Sequence, residues 1–185
     1  MKIDENSTLE QVAAAVAAAL DRAGIRAVLT GGAAAVIYTG GEYPSEDLDF
    51  ILQSSPTQER LDKVLSEIGF SRKRDHYVHR LSPFFIEFPR GPLSIGRDIR
   101  IGPVKTRVGR EKILALSATD SCRDRLAAFR KKIQLPPELE GQMASSADAL
   151  DAVLCAFAGI AVTQGKLASA PAASAIVEGW IAVHW

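Results

Sequence analysis

Two aspartates separated by one residue, Asp47 and Asp49, have the types and spacing that most directly suggest chemistry. Asp47 comes directly before the segment 48–53, and Asp49 lies within it. This segment alternates and then becomes apolar, a pattern typical of a strand buried on one face. In a strand, residues i and i+2 point to the same face, so both carboxylates project together. Their repulsion would be relieved by a divalent cation such as Mg²⁺ or Mn²⁺. The alternative is a frayed strand start with at least one aspartate in solvent.

A glycine pair, Gly31 and Gly32, comes before the aspartates in the chain. It follows a short strand pattern at 26–30 and precedes a helical pattern at 33–38. Glycine lets the backbone approach a ligand closely, and the start of a helix offers unpaired N–H groups to a phosphate. The pair therefore predicts phosphate contact, with a plain turn as the alternative.

A third acid, Glu87, stands inside a later strand-like segment and is surrounded by Phe84, Phe85, Ile86 and Phe88. Acids are rarely buried in such surroundings unless they are paired. We expect Glu87 either to face the aspartates or to point outward on an edge strand.

Two histidines, His76 and His79, lie three residues apart in or beside the preceding strand pattern. No third ligand for a metal is evident near them. We interpret both as ordinary strand or turn residues.

The elements that must position these residues run in the order helix, strand, helix, strand, helix, several strands and a helix. Capping boxes are predicted at Ser7 with Glu10 and at Ser117 with Asp120, and Gly24 is the predicted end of the first helix. This order predicts a mixed α/β or α+β domain with a mixed sheet flanked by helices.

The totals favour no particular partner, because 22 Lys and Arg balance 22 Asp and Glu in 185 residues. The stretch 72–112 nevertheless carries 11 Lys and Arg against 4 acids. It is interpreted either as a solvated sheet edge or as a surface that meets phosphate.

The C-terminal part differs in composition, and we predict two regions, 1–133 and 134–185. The second would contain a proline-broken linker, an apolar helix over 147–162 and a terminal strand over 178–185. Its apolar run, 152–162, is far shorter than the roughly 20 residues of a membrane span.

The start of the sequence lacks the apolar stretch of a signal peptide. Cys122 and Cys155 are far apart and have no metal-ligand spacing, which fits a reduced compartment. We expect a cytoplasmic protein with no membrane partner.

Together, the motifs LTGG, EDLDF and FIEF resemble those of the nucleotidyltransferase superfamily of DNA polymerase beta. The surroundings are similar to the AbiEii-type and related small nucleotidyltransferases, in Ser45 two residues before the first aspartate, in FPRGPLSIG and in TDSCRDRLAAF. The resemblance covers about residues 10–130. Glu87 departs from it, since this branch more often has Asp there, and so does LPPELEG, where further helix is usual.

The resemblance implies a nucleotidyltransferase fold with a C-terminal helical extension. It implies that Asp47, Asp49 and Glu87 bind Mg²⁺ or Mn²⁺ and perform catalysis, while Gly31, Gly32 and Ser45 bind the nucleotide. The reaction would move a nucleoside monophosphate from an NTP to a hydroxyl or phosphate of RNA, protein or a small molecule. The basic stretch favours a polyanionic acceptor such as tRNA.

Members of this branch often act as toxins, which implies an antitoxin partner. The alternative is a catalytically inactive member of the fold that binds a nucleotide or a partner. Other enzymes with two aspartates at this spacing fit less well, because haloacid-dehalogenase-type phosphatases need a Thr or Ser shortly after them and glycosyltransferases of this kind usually need a longer chain.

The tail resembles the C-terminal end of an uncharacterised RNase H-like family, in DALDAVLCAFAGIAV and EGWIAV. That resemblance would make Asp148 or Asp151 a metal ligand. The simpler interpretation is an apolar helix with acids near its N-terminus, where the helix dipole favours them.

Overall fold

The computed structural model describes residues 3–41, 43 and 45–130. The chain divides into two compact units, Met1–Phe129 and Arg130–Trp185. The predicted linker, apolar helix and terminal strand, with Asp148 and Asp151, lie outside the described residues. The elements in chain order are α1 (Leu9–Arg22), β1 (Ala27–Thr30), α2 (Gly31–Thr39), β2 (Asp47–Leu52), α3 (Gln58–Ser66), β3 (Phe70–Lys73), β4 (His76–His79), β5 (Phe85–Glu87), β6 (Val104–Val108), β7 (Glu111–Ala115) and α4 (Ala118–Arg130).

The strands form one seven-stranded sheet with the order β3-β4-β5-β2-β1-β7-β6. The pairs β2 with β5 and β1 with β7 are parallel, and the other neighbours are antiparallel. The sheet is therefore mixed, as the sequence predicts. Because β2 and β5 lie in its middle, residues on them have neighbouring strands on both sides.

One face of the sheet is covered by α1, α2 and α3, and it holds the larger core. Alternate residues of the central strands point into this core, among them Leu29 of β1, Leu48 and Phe50 of β2, and Ile86 of β5, and all four are fully buried. Burial of such side chains stabilises the fold by roughly 1.5–3 kcal/mol each.

The opposite face carries a smaller core that includes Val28, Ile51 and Leu116. Residues of the 89–103 loop and Ala127 of α4 pack on it. Helices thus flank both faces of the sheet, which confirms the predicted architecture. The second face also carries the candidate site residues. Asp47 and Asp49 lie on it because they alternate along β2 with the buried Leu48 and Phe50, which face the larger core.

The start of α1 corrects one prediction. Its capping box joins Thr8 with Gln11, one residue later than the predicted pair of Ser7 with Glu10. The hydroxyl of Ser7 donates instead to the carboxylate of Asp4, at 3.0 Å. Of the second predicted box one half is formed, since the N–H of Asp120 donates to Ser117 Oγ at 3.0 Å, while the Asp120 carboxylate accepts from the Ser117 hydroxyl at 2.8 Å.

Two further observations complete the fold. Strand β6 was not predicted, and it forms the edge of the sheet beside β7. No helix in the described part of the chain is long and apolar enough to cross a membrane.

Candidate active site

Asp47 and Asp49 occupy the first and third positions of β2 and lie on the same face of the sheet. Both are partly exposed, whereas Leu48 between them and Phe50 after them are buried. The apolar half of the strand therefore anchors it in the core while the carboxylates face outward. This confirms the predicted strand and its face.

Glu87 lies directly beside Asp49, because the two are register partners in the parallel pairing of β5 with β2. Residues paired across neighbouring strands share a face, so Glu87 and the two aspartates lie on the same side of the sheet. Strand β5 is not an edge strand, since β4 covers its other side. The alternative prediction, in which Glu87 points outward on an edge strand, is therefore wrong.

On the other side of Asp49 lies Thr30, its register partner on β1. The hydroxyl of Thr30 donates to the backbone carbonyl of Asp49 at 3.3 Å. Asp49 is thus held in a row between Thr30 and Glu87 at the point where β1 becomes α2.

Gly31, the first residue of α2, has a φ of +64°, and a side chain there would meet the carboxylate of Asp49. A Cβ built on Gly31 lies 3.1 Å from Asp49 Cγ and still nearer to its Oδ2. Both the left-handed backbone and the close approach require glycine. The Asp49 carboxylate therefore needs this glycine, whatever ligand the site takes.

Gly32 likewise leaves room for a neighbouring side chain, that of Ser45. A Cβ on Gly32 would lie 3.1 Å from Ser45 Cβ and nearer to its Oγ. The hydroxyl of Ser45 donates to Asp47 Oδ1 at 2.6 Å. The glycine pair and the two aspartates are thus packed together, with Ser45 orienting Asp47.

The pKa of Asp49 is raised from its ordinary value to about 6. Burial is the largest cause, followed by the negative charges of Asp47 and Glu87. Arg125 opposes the shift, and Asp124 adds to it. The ionised carboxylate is therefore short of positive charge, which is the condition that cation binding relieves.

Helix α4 brings two residues to this site that sequence reasoning missed, Asp124 and Arg125. They form an ion pair, with Arg125 Nη2 2.5 Å from Asp124 Oδ2. Burial works against the charge of Arg125, but Asp124 and Tyr43 outweigh it and the pKa of Arg125 is raised. The signal available in the sequence was an adjacent acid and base on a predicted helix, followed by apolar residues, in DSCRDRLAAF.

Only one of the two histidines adjoins the site, because His76 shares the face of Glu87 and His79 lies on the opposite face of β4. His76 is the register partner of Glu87 on β4, and its Nδ1 lies 3.1 Å from Asp75 Oδ1. His79 contacts the ring of Phe70, with centroids 5.1 Å apart. Burial lowers the pKa of His79, with a smaller contribution from Arg80.

The donor set suits a hard divalent cation, since three carboxylates on one face offer the oxygen ligands that Mg²⁺ and Mn²⁺ prefer. The raised pKa of Asp49 supports this fit. Among residues 3–41, 43 and 45–130, however, no three His, Cys, Asp or Glu side chains converge closely enough to hold an ion as they stand. Asp47, Asp49 and Glu87 share a face, and their side chains would have to turn toward one another.

The basic stretch is largely exposed. Lys105 and Arg107 alternate on the edge strand β6, and Arg107 is the register partner of Lys112 on β7. All three are exposed and lie on the same face of the sheet. This arrangement is compatible with both interpretations, because charges also protect edge strands from aggregation.

No family model matches the sequence, and no curated protein matches it. Among solved structures, one similar chain is an antigenic nucleotidyltransferase-like protein from Paracoccidioides brasiliensis. It is 16% identical with a TM-score of 0.48, over 85% of this chain and 88% of that chain. Another is ANT(2")-Ia in complex with adenylyl-2"-tobramycin, 12% identical with a TM-score of 0.48, over 82% of this chain and 97% of that chain.

Proposed function

We propose that this chain is a metal-dependent nucleotidyltransferase of the DNA polymerase beta superfamily. It would transfer a nucleoside monophosphate from an NTP to a hydroxyl or phosphate acceptor. The observation that carries this proposal is the position of Asp49, between Thr30 and Glu87 in the sheet and against Gly31 at the start of α2. Asp47 adds a second carboxylate on the same face.

Each residue has a role that follows from its position. Asp47, Asp49 and Glu87 would hold Mg²⁺ or Mn²⁺, which supplies positive charge to the phosphates and to the attacking oxygen when bound. Ser45 keeps Asp47 in place through its 2.6 Å hydrogen bond. The N–H groups at the start of α2, including those of Gly31 and Gly32, would receive the phosphates.

The reaction is an in-line displacement at the α-phosphorus. The acceptor oxygen forms a bond to this phosphorus, and the bond to the oxygen that bridges the α- and β-phosphates breaks, so pyrophosphate leaves. Glu87 would accept the proton of an acceptor hydroxyl. Glu87 lies on the β5 side of Asp49, and the glycine pair follows β1 on the other side. This position suits a base that faces the acceptor.

For the acceptor we propose RNA, protein or a small molecule. The exposed bases on β6 and β7 favour a polyanion such as tRNA, because phosphates bind to clustered Lys and Arg. A role as the toxin of a toxin–antitoxin pair follows from the resemblance of the sequence motifs.

One observation favours a second candidate, a catalytically inactive member of the fold that binds a nucleotide or a partner. In the described part of the chain, no three potential ligands converge on an ion position. Such a protein would bind an NTP without transferring label from it.

The test is a transfer assay with each α-labelled NTP, Mg²⁺ or Mn²⁺, and total cellular RNA and protein. Wild type is compared with Asp47→Ala/Asp49→Ala and with Asp21→Asn, which changes an exposed acid on α1. Label transferred by wild type and Asp21→Asn, and lost in the double variant and in EDTA, supports the proposed reaction. Metal-dependent NTP binding without transfer to any RNA, protein or small-molecule acceptor supports the inactive alternative.

A further inference from the structure

A straight row of side chains crosses the sheet from the carboxylates to the β3 edge. Glu87, the register partner of Asp49, also pairs with His76 on β4. His76 pairs in turn with Lys73 on the edge strand β3. Residues paired across strands share a face, so this row lies on the face of the candidate active site. Because neighbouring strands are about 4.8 Å apart, His76 and Lys73 extend the site outward from Glu87 in two short steps.

A second row, beside the first, adds an aromatic ring. Phe85 of β5 is the register partner of Asp47 on β2 and of Val78 on β4. The ring of Phe85 lies edge-on to the imidazole of His76, with centroids 5.5 Å apart. His76 and Phe85, here called the ring pair, therefore lie next to the carboxylates on their β5 side.

The ring pair is accessible to a ligand. Phe85 and Val78 are partly exposed, and the side chain of His76 is 28% exposed. The alternate residues of the same strands, Tyr77 and Ile86, are buried in the larger core on the other face. The smaller core on the site face draws its strand residues from β1, β2 and β7. The strands that carry the ring pair thus present partly exposed rings beside the candidate metal ligands.

The neighbouring charges define the kind of ligand that fits. His76 Nδ1 donates to Asp75 Oδ1 at 3.1 Å, since a carboxylate accepts, and this bond orients the imidazole. Lys73 and Arg74 lie at the β3–β4 turn, are exposed and outnumber Asp75. A fitting ligand therefore has a flat ring for the ring pair and negative charge for Lys73. A nucleotide has both, and unstacked nucleobases commonly pack on Phe and His side chains.

We infer that the ring pair binds the nucleobase of a nucleotide acceptor, while Lys73 contacts a phosphate of that acceptor. This inference rests on the proposed nucleotidyl transfer and selects one acceptor class among RNA, protein and small molecules. A nucleobase on the ring pair places the ribose hydroxyls of the same nucleotide near Glu87, the proposed proton acceptor. The ligand is either the end of an RNA or a free nucleotide, because both present a ring and a phosphate. The alternative is a cross-strand contact that only stabilises the sheet.

The experiment measures acceptor binding by the full chain. Mg²⁺ and NTP analogues that cannot release pyrophosphate are present, so that the NTP site is filled. The probes are short single-stranded RNAs that end in each of the four nucleobases, the same RNAs with an abasic 3′-terminal nucleotide, and the nucleoside monophosphates. Fluorescence anisotropy measures RNA binding, and calorimetry measures binding of the monophosphates.

Wild type is compared with Phe85→Leu, which keeps an apolar side chain but removes the ring. Phe88→Leu is the matched control, since Phe88 directly follows β5 and its ring contacts Phe50 and Tyr77 in the larger core. In wild type, loss of the terminal nucleobase should weaken binding by about 10- to 100-fold. Phe85→Leu should weaken binding of the intact RNA by a similar factor, and removal of the nucleobase should then cost less than about 2-fold more. Phe88→Leu should bind both RNAs as wild type does.

Lys73→Ala tests the phosphate contact. It should weaken binding of the intact and abasic RNAs by the same factor. It should also lower the slope of log affinity against log salt by about 0.7, the value for one phosphate contact with a single strand. The control is Lys63→Ala, an exposed lysine on α3, which packs on the other face of the sheet. An unchanged slope in Lys73→Ala, or the same change in Lys63→Ala, would overturn the role of Lys73.

Circular dichroism shows whether each variant is folded, and if Phe85→Leu is not, His76→Ala takes its place. Equal affinity of wild type for intact and abasic RNA overturns the inference, and so does an equal loss in Phe88→Leu. Binding of a nucleoside monophosphate that depends on Phe85, without RNA binding, supports the inference with a free nucleotide as the acceptor.

The remaining outcomes separate this inference from the proposed function. Wild type that binds neither RNA nor a nucleoside monophosphate overturns the inference. The proposed function then stands if label still passes to a protein or to another small molecule. Absence of both NTP binding and label transfer in wild type refutes the proposed function itself, and this inference with it.

Discussion

Asp49 and Glu87 are direct neighbours on two parallel strands that lie in the middle of the sheet. The backbones of paired strands are about 4.8 Å apart, so the lengths of the two side chains decide how closely their carboxylates approach. An Asp opposite a Glu offsets the two carboxylates by one methylene. The gap between them is therefore a sensitive parameter of this site.

Glu87→Asp tests that gap. Shortening the side chain withdraws the carboxylate from the acceptor side, and misplacement by about 1 Å can cost about 100-fold in rate. We expect transfer by Glu87→Asp to fall about 10- to 100-fold, and transfer by Glu87→Gln to fall by about 100- to 10,000-fold because it cannot accept a proton. Single-turnover rates measure both, and equal rates in the two variants would argue against Glu87 as the base.

Asp49→Asn should make the protein more stable at neutral pH when divalent ions are removed with EDTA. The pKa of Asp49 is raised in the folded state, to about 6. Its favourable contribution to folding is therefore complete below pH 4 and is lost as pH rises through 6. After allowance for solvent screening, we expect a gain of about 1–2 kcal/mol at pH 8 and none at pH 4.

Urea unfolding at both pH values measures this gain. A stability difference that does not change with pH would contradict the raised pKa. Addition of Mg²⁺ should then raise the melting temperature of wild type and leave that of Asp49→Asn unchanged.

Gly31→Ala should destabilise the chain and abolish transfer. Gly109, in the turn between β6 and β7, has nearly the same φ of +60° but nothing within 4 Å of a built Cβ. Gly109→Ala therefore reports the backbone strain alone, about 1–2 kcal/mol. We expect Gly31→Ala to lose about 1–3 kcal/mol more, because the methyl group displaces the Asp49 carboxylate.

The two glycine variants are compared by chemical denaturation and by the transfer assay. Equal losses of stability would show that the carboxylate of Asp49 yields without cost. In that case Gly31 would be needed for its backbone conformation alone.

Ser121→Ala should be neutral or stabilise the fold by up to about 1 kcal/mol. Ser121 is 2% exposed, and its hydroxyl has no partner in the described part of the chain. A buried unpaired hydroxyl opposes folding. The control is Ser82→Ala, since Ser82 is also buried but its Oγ accepts the N–H of Phe84 at 3.2 Å.

The control should lose about 1 kcal/mol. Thermal and urea unfolding of the two variants measure the difference. A loss in Ser121→Ala as large as that in Ser82→Ala would mean that the Ser121 hydroxyl has a partner in solution.

Local sequence was enough to predict the elements around the site. The strand containing Asp47 and Asp49, the helix after the glycine pair and the strand containing Glu87 are each marked by periodicity and by glycine. The predicted cap at Ser7 failed by one residue, because Ser7 with Glu10 and Thr8 with Gln11 have the same spacing and both fit the motif.

Which strands and helices lie next to one another could not be predicted from local sequence. Pairing of Asp49 with Glu87 joins residues 38 apart in the chain, and strand parity gives the face of each but not the neighbour. Strand β6 was not predicted, because an edge strand needs no apolar face. Exposed charged residues such as Lys105 and Arg107 are also typical of loops. Arg125 and Asp124 were missed for a related reason, since charges on a helix usually face solvent.

The contact between Gly31 and Asp49 has a consequence for how this sequence can change over generations. A side chain at Gly31 always strains the left-handed backbone, and while Asp49 remains it also clashes with the Asp49 carboxylate. Gly32 and Ser45 form a second linked pair of the same kind. A descendant that lost Asp49 and Ser45 would be released from part of this constraint, so substitutions should accumulate at both glycines together. The residue at position 31 thus depends on whether Asp49 is kept, and the residue at position 32 on whether Ser45 is kept.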